Sequence, residues 1–274
     1  MNCIMVKKER ASVPIGNLPP GFQNFTIVHI SDFHCDRCED LERLEKAVEI
    51  VNQEPCHIVV ITGDYFSLPK NLSRYLSDCA RILEGMKPKI GVFSVTGNHD
   101  YWVPFYKLRA KMEAKGIHFL DNESLTLECN GSRINLVGVS SLWMKQHDIP
   151  KAFRYVDNKV PKILLAHNPD IALKVIPYKP HLLLCGHTHG GQIRLPFRGP
   201  ALRFIQLEKR YYAGLNPFYG FLIYTNRGLG TFYPRARFRC PPEVTFLKLK
   251  NPSESKRGYG LPPRDSPKGC PSFE

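Results

Sequence analysis

Phe25-Thr26-Ile27-Val28-His29-Ile30 is a short apolar, β-branched run, and the stretch behind it, Glu39 to Asn52, repeats Leu41, Leu44, Ala47, Val48 and Val51 at helical spacing. The first reads as a strand and the second as a helix. The unit recurs, with strands at His57 to Thr62 and Ile90 to Thr96 and helices at Leu72 to Glu84 and Phe105 to Lys115. Such alternation predicts an α/β architecture. From Ser124 onward the strands shorten: Leu125 to Glu128 and Arg133 to Val139 flank Asn130-Gly131, a dipeptide that favours a tight hairpin turn. Lys162 to Ala166, His181 to Cys185, Phe221 to Thr225 and Val244 to Leu249 are further strands. Two packed sheets flanked by helices accommodate them all.

The rest of the 274 residues divides around this body. Residues 1 to 24 read as an N-terminal extension and 25 to 250 as one domain. Residues 251 to 274, rich in Pro, Ser, Lys, Arg and Gly, read as a disordered tail that buries too little to offset chain entropy. A composition of 43% hydrophobic and 23% charged residues excludes a fibrous or wholly disordered chain. No stretch reaches the ~18 to 20 apolar residues needed to span a bilayer, and Met1 to Pro20 lacks the apolar segment of a secretory signal. The expectation is therefore a cytoplasmic protein, with peripheral attachment to the inner membrane left open. Nine scattered cysteines fit a reducing compartment rather than a disulfide framework. Cys35-Asp36-Arg37-Cys38 has redox or zinc spacing, but with no second pair to complete a four-cysteine site these read as loop thiols.

Thirty-eight Lys and Arg against 25 Asp and Glu give a net charge of +13, which favours anionic ligands: phosphorylated substrates, nucleic acids or anionic membranes. The motifs choose among them. Asp32-Phe33-His34 follows the first strand, Gly63-Asp64 the second, Gly97-Asn98-His99-Asp100 the third, Ala166-His167-Asn168-Pro169 a later one, and Gly186-His187-Thr188-His189 another. Ligand-binding residues of open α/β sheets collect at the carboxyl ends of strands, so these motifs converge in one cleft. Asp, Asn and several His form a mixed O and N donor set that suits Mn, Fe, Zn or Mg better than a soft metal. A carboxylate could bridge two cations, since each oxygen can satisfy one. His29, His57 and His181 lie in or at the start of apolar runs and read as core histidines.

Taken in this order, the motifs resemble those of the calcineurin-like metallophosphoesterase superfamily over residues 25 to 250. The resemblance implies a four-layer α/β/β/α sandwich of two mixed β-sheets flanked by helices, with a dinuclear centre at the strand ends. It implies that Asp32, His34 and His189 hold one metal, that Asn98, His167 and His187 hold the other, and that Asp64 bridges them, with manganese the first choice and iron, zinc or magnesium the alternatives. It also implies that His99 faces the leaving group as general acid or charge stabiliser. The alternative for His99 is a donor to a ligand carboxylate, and Asp100 is the expected partner that orients it.

Gly63-Asp64-Tyr65-Phe66-Ser67-Leu68-Pro69 lacks the Gly-Asp-x-Val-Asp-Arg-Gly extension of the superfamily's protein phosphatases. Gly186 to Gln192, Arg194-Leu195-Pro196 and Arg227-Gly228-Leu229-Gly230 instead resemble the branch of membrane-associated phosphodiesterases. That branch includes the enzyme that splits UDP-2,3-diacylglucosamine in lipid A synthesis, which implies an anionic, lipid-linked substrate. Gly190 and Gly191 would let backbone N–H groups approach a phosphate, and Arg194 and Arg227 are candidate substrate contacts. Leu195 to Tyr212, which interleaves cations with Phe197, Leu202, Phe204 and Ile205, is the segment expected to meet lipid. The rivals are a nuclease or nucleotide phosphodiesterase on the same centre, and an inactive scaffold of the same fold.

Overall fold

The computed structural model describes residues 5–201 and 204–252. In chain order the strands are β1 (Lys7–Pro14), β2 (Thr26–Ile30), β3 (Ile58–Ile61), β4 (Gly91–Ser94), β5 (Ile117–Phe119), β6 (Glu123–Cys129), β7 (Ser132–Gly138), β8 (Lys162–Leu165), β9 (Leu182–Cys185), β10 (Arg194–Leu195), β11 (Gly199–Pro200), β12 (Gly214–Phe218), β13 (Phe221–Thr225) and β14 (Glu243–Lys250). The helices are α1 (Cys38–Asn52), α2 (Pro69–Glu84), α3 (Phe105–Glu113), α4 (Ile149–Ala152) and α5 (Ala172–Val175). One sheet runs β1-β14-β2-β3-β4-β5, the other β12-β13-β9-β8-β7-β6, and β10 and β11 form a separate small hairpin. Each six-stranded sheet mixes parallel and antiparallel pairs.

Alternation along each strand sets the layers. On β2 and β3, Val28, Ile30, Val59 and Ile61 point outward into a core closed by Leu44, Ala47 and Val51 of α1 and Leu72, Cys79 and Leu83 of α2. Their neighbours Ile27, Ile58 and Val60 point the other way, against Ile163, Leu165, Leu182 and Leu184 of the second sheet. That sheet's outer face, through Val137, Leu164, Leu183 and Ile223, packs on Ile149, Ala152, Ala172 and Val175 of the two short helices. The result is the four-layer α/β/β/α sandwich, with the inter-sheet core at its centre. The hairpin between β6 and β7 turns at Asn130 and Gly131, both with positive φ, the geometry that matches strand twist. Acidic Glu39 and Asp40 sit in the first turn of α1, and Pro69 opens α2, where its missing N–H costs nothing.

One boundary needs correction. Residues 1 to 24 are not merely an extension: β1 pairs in parallel with β14 from Lys7↔Glu243 to Pro14↔Lys250 and forms an edge of the first sheet. Its sequence, KKERASVP, is polar because an edge strand needs no apolar run on its outer side. The expected tail from residue 251 falls almost wholly outside the described residues, as do Leu202 and Arg203 of the segment expected to meet lipid.

Candidate metal centre

The chain leaves β2 at Asp32, β3 at Asp64, β4 at Asn98, β8 at His167 and β9 at His187. Because β2, β3 and β4 are parallel neighbours in one sheet, and β8 and β9 in the other, the five exits lie at matching ends of the sandwich. Asp32, His34, Asp64, His187 and His189 all adopt positive φ, an uncommon conformation for residues with side chains. Sharp turns straight off the strands thus aim the side chains back across the inter-sheet seam. Glycines make the seam tight: a Cβ on Gly97 would strike the Asp64 carboxylate, and one on Gly186 would strike Ser31 and the Asp32 carboxylate.

The side chains gather in two donor clusters. One donor atom each from Asp32, His34 and His189 lie within 4.8 Å of one another, and so do donors from Asp64, His167 and His187. The clusters abut, with Asp64 Oδ2 3.1 Å from His167 Nε2 and 3.7 Å from His34 Nε2. Asp32 Oδ1 is 3.5 Å from His189 Nε2 and 3.9 Å from His167 Nε2. Asn98, 2% exposed, adds a side-chain oxygen with no hydrogen-bond partner among the described residues.

Second contacts fix the rings. His34 Nδ1 meets Ser67 Oγ at 2.7 Å and His167 Nδ1 meets the Thr62 carbonyl at 2.5 Å, so each presents Nε2 to the seam. The His187 backbone N–H donates to both oxygens of Asp32, at 3.1 and 3.0 Å, and that of His99 to Asp64 Oδ1 at 2.9 Å.

Burial drives the electrostatics. It pushes Asp32 up to about 6 and drops His34 and His187 to about 3, while His189 falls well below its ordinary value. Burial would also raise Asp64, but His167 and His99 outweigh it and hold the carboxyl well below the usual range. His167 shows the converse: burial disfavours its charge, yet Asp64 and Asp32 lift it to about 10. His34, His187 and His189 are thus held neutral, and the two carboxylates already draw a proton onto His167, so the seam favours positive charge.

The donor set fits divalent cations. His34 Nε2 and His189 Nε2 face each other at 3.2 Å, and Asn98 Oδ1 is a buried acceptor without a donor. Divalent cations at the two clusters would satisfy these groups, and imidazole, carboxylate and amide oxygen are suitable ligands for Mn, Fe, Zn or Mg.

His99 lies with His34 and Asp64 in a third overlapping cluster, its donor atom within the same 4.8 Å. Its ring is held between Trp102, at 4.1 Å, and Phe232, at 4.8 Å, and burial lowers its pKa. Asp100 does not orient it, contrary to expectation. The Asp100 carboxylate instead accepts the backbone N–H groups of Asp64 and Gly97, each at 2.8 Å, and of Tyr65 at 2.9 Å. Asp100 therefore ties the β3 and β4 exits together.

The structure does not bring Arg194 or Arg227 into the donor clusters. Arg227 bonds Glu9 of β1 at 2.6 Å and pairs with buried Glu243 of β14, and this uses its guanidinium inside the fold. Arg194 is half-buried on β10, its backbone N–H donating to the Phe238 carbonyl. The backbone N–H groups of Gly190 and Gly191 are used within the fold, the first donating to Thr188 Oγ1 at 3.1 Å and the second to the Thr188 carbonyl at 2.7 Å. Cys35 and Cys38 are free thiols, the first buried and the second exposed.

Sequence reasoning missed Arg237. Its guanidinium donates to the carbonyls of His189, Arg227, Gly228, Gly230 and Cys240, and so clamps the His189 loop against the chain leaving β13. It also missed Trp102 beside His99 and Trp143, whose ring lies 4.3 Å from His187. The chain's only two tryptophans both stand at the centre, and in so basic a chain that rarity was the available signal.

Comparison with known proteins agrees with this geometry. The model of the calcineurin-like phosphoesterase family matches residues 25–191. The uncharacterized metallophosphoesterase YkuE of Bacillus subtilis (strain 168) is 32% identical over 90% of this chain and 86% of its own length. Phosphodiesterase YaeI of Escherichia coli (strain K12) is 35% identical over 82% of each chain.

Proposed function

The chain belongs to the calcineurin-like phosphoesterase family, and from that premise we propose that this metallophosphoesterase cleaves a pyrophosphate bond in a lipid-linked nucleotide. The proposed substrate is UDP-2,3-diacylglucosamine, hydrolysed to 2,3-diacylglucosamine 1-phosphate and UMP in lipid A biosynthesis. The observation that carries a dinuclear hydrolase is the pair of abutting donor clusters with Asp64 at their junction. Two divalent cations there, manganese by preference, would polarise phosphoryl oxygens and supply hydroxide near neutral pH.

The chain's own residues do the rest. Asp64 faces rings of both clusters and is the proposed bridge, while Asp32 balances charge beside His189 and His167. Ser67 and the Thr62 carbonyl hold the His34 and His167 rings in place before substrate arrives. His99 is the proposed group at the leaving oxygen, to which it would donate a hydrogen bond or a proton. The half-exposed rings of Trp102 and Trp143 give each cluster an apolar wall, which favours a substrate with ring or acyl surface over a bare phosphate.

The test is turnover by Mn(II)-loaded protein of an aryl phosphodiester and of UDP-2,3-diacylglucosamine in detergent micelles. Both should be hydrolysed, the lipid nucleotide with the higher kcat/KM. Cleavage of DNA but not of the lipid nucleotide would favour a nuclease. Failure on every substrate across the divalent metals would leave only the scaffold.

A further inference from the structure

Two segments that flank the centre, residues 192–200 and 231–239, form one small lobe. Gln192 laces them: its side chain accepts the Phe232 N–H at 3.0 Å and donates to the Phe232 and Pro234 carbonyls, and its own carbonyl accepts the Phe238 N–H. The inner side of the lobe belongs to the site, since Phe232 lies 4.8 Å from the His99 ring and Arg237 holds the His189 loop. The outer side is unlike an ordinary solvated surface. Phe197 is fully exposed, Tyr233 is 81% exposed, and Phe238 and Leu195 about half so.

The charge of the lobe is one-sided. Its two segments carry Arg194, Arg198, Arg235, Arg237 and Arg239 and no acidic residue. Arg235 is taken up by Asp36 at 2.8 Å and by Asp40 at 3.6 Å, which braces the lobe against α1. Arg198 and Arg239 are exposed and form no ion pair among the described residues. Exposed aromatic rings beside unpaired arginines suit the boundary of an anionic bilayer, where rings enter the interfacial layer and cations meet headgroups. An acidic protein would reward the arginines but not a fully exposed phenylalanine on a hairpin tip.

We propose that this lobe docks the protein on an anionic lipid surface through Phe197, Tyr233 and Phe238, with Arg198 and Arg239 facing the headgroups. The inference deepens the lipid-linked reading of the site, on which it rests for its purpose: the lobe that forms one wall of the centre is the one that meets the bilayer. A lipid-linked phosphate could then reach the metals while its acyl chains stay in apolar surroundings.

The experiment is sedimentation of the full chain with phosphatidylcholine vesicles, with and without phosphatidylglycerol, beside turnover of a soluble aryl phosphodiester. The protein should bind the anionic vesicles and be released by salt. Phe197→Ser combined with Tyr233→Ser should weaken binding roughly tenfold or more, and Arg198→Gln combined with Arg239→Gln should abolish the preference for anionic lipid. Both pairs should keep the soluble activity, which shows that they fold. Absence of vesicle binding by the unaltered chain, or undiminished binding by the aromatic pair, would overturn the proposal. So would a change confined to self-association, which would make the lobe an interface between copies. Vesicle binding needs no substrate, so a wrong substrate would show separately, as failure on the lipid nucleotide in micelles with docking intact.

Discussion

Three backbone N–H groups converge on Asp100, and its neighbour His99 stands among the candidate metal ligands, so adjacent residues of one motif have different surroundings. Asp100→Asn would place an amide N–H₂ where only an acceptor fits. It should cost about 1–3 kcal/mol of stability, read as a lower denaturant midpoint, and weaken metal affinity because Asp64 loses its anchor. His99→Ala touches no anchor of this kind. It should lower kcat by roughly 10²- to 10⁴-fold with the metal content unchanged. Metal analysis beside steady-state kinetics separates these outcomes, and full activity in His99→Ala would remove its proposed role. The motifs that gather into the donor clusters were legible because each follows an apolar run. The partners of Asp100 were not, because backbone N–H groups leave no mark in a sequence.

At the scale of elements, the strands and helices that bury an apolar face could be read from periodicity, and α1, β2, β3 and β13 lie close to where the pattern put them. β1 could not, because an edge strand with Lys7, Lys8, Glu9 and Arg10 carries no apolar signal, and its pairing partner β14 lies more than 200 residues away. Its function in the fold corrects the reading of Arg227. A candidate phosphate contact in sequence, this arginine spans the edge of the first sheet and pairs with Glu9 of β1 and Glu243 of β14. Burial keeps Glu243 above its ordinary pKa even so, which shows how costly its charge would be without that partner. Arg227→Ala should therefore destabilise the fold by about 3–5 kcal/mol by leaving a buried carboxylate unpaired. A raised KM with an unchanged melting temperature would instead return Arg227 to the substrate. The lobe of residues 192–200 and 231–239 was half legible: its first segment stood out as cationic and apolar, but only the fold brings the second beside it.

For the molecule as a whole, stability should follow pH through its buried imidazoles. His29 is fully buried in β2, and burial drops it from 6.5 to about 3. Between these values the unfolded chain binds a proton that the folded chain refuses, so the contribution of His29 is intact above about 6.5 and is lost as pH falls toward 3. Thermal melts at stepped pH should show a shallower acid loss in His29→Gln than in the unaltered chain, and identical slopes would contradict this. The +13 charge, the arginine-rich lobe and the apolar walls at the centre all suit an anionic substrate with apolar parts. All of that depends on the centre itself. Its most direct test is metal content measured with turnover of an aryl phosphodiester, before and after chelation. Two divalent ions per chain are expected, with loss of turnover on their removal, recovery on adding Mn(II), and neither second ion nor turnover in Asp64→Ala. Turnover that survives complete metal removal, or a fully active chain that holds a single ion, would contradict it.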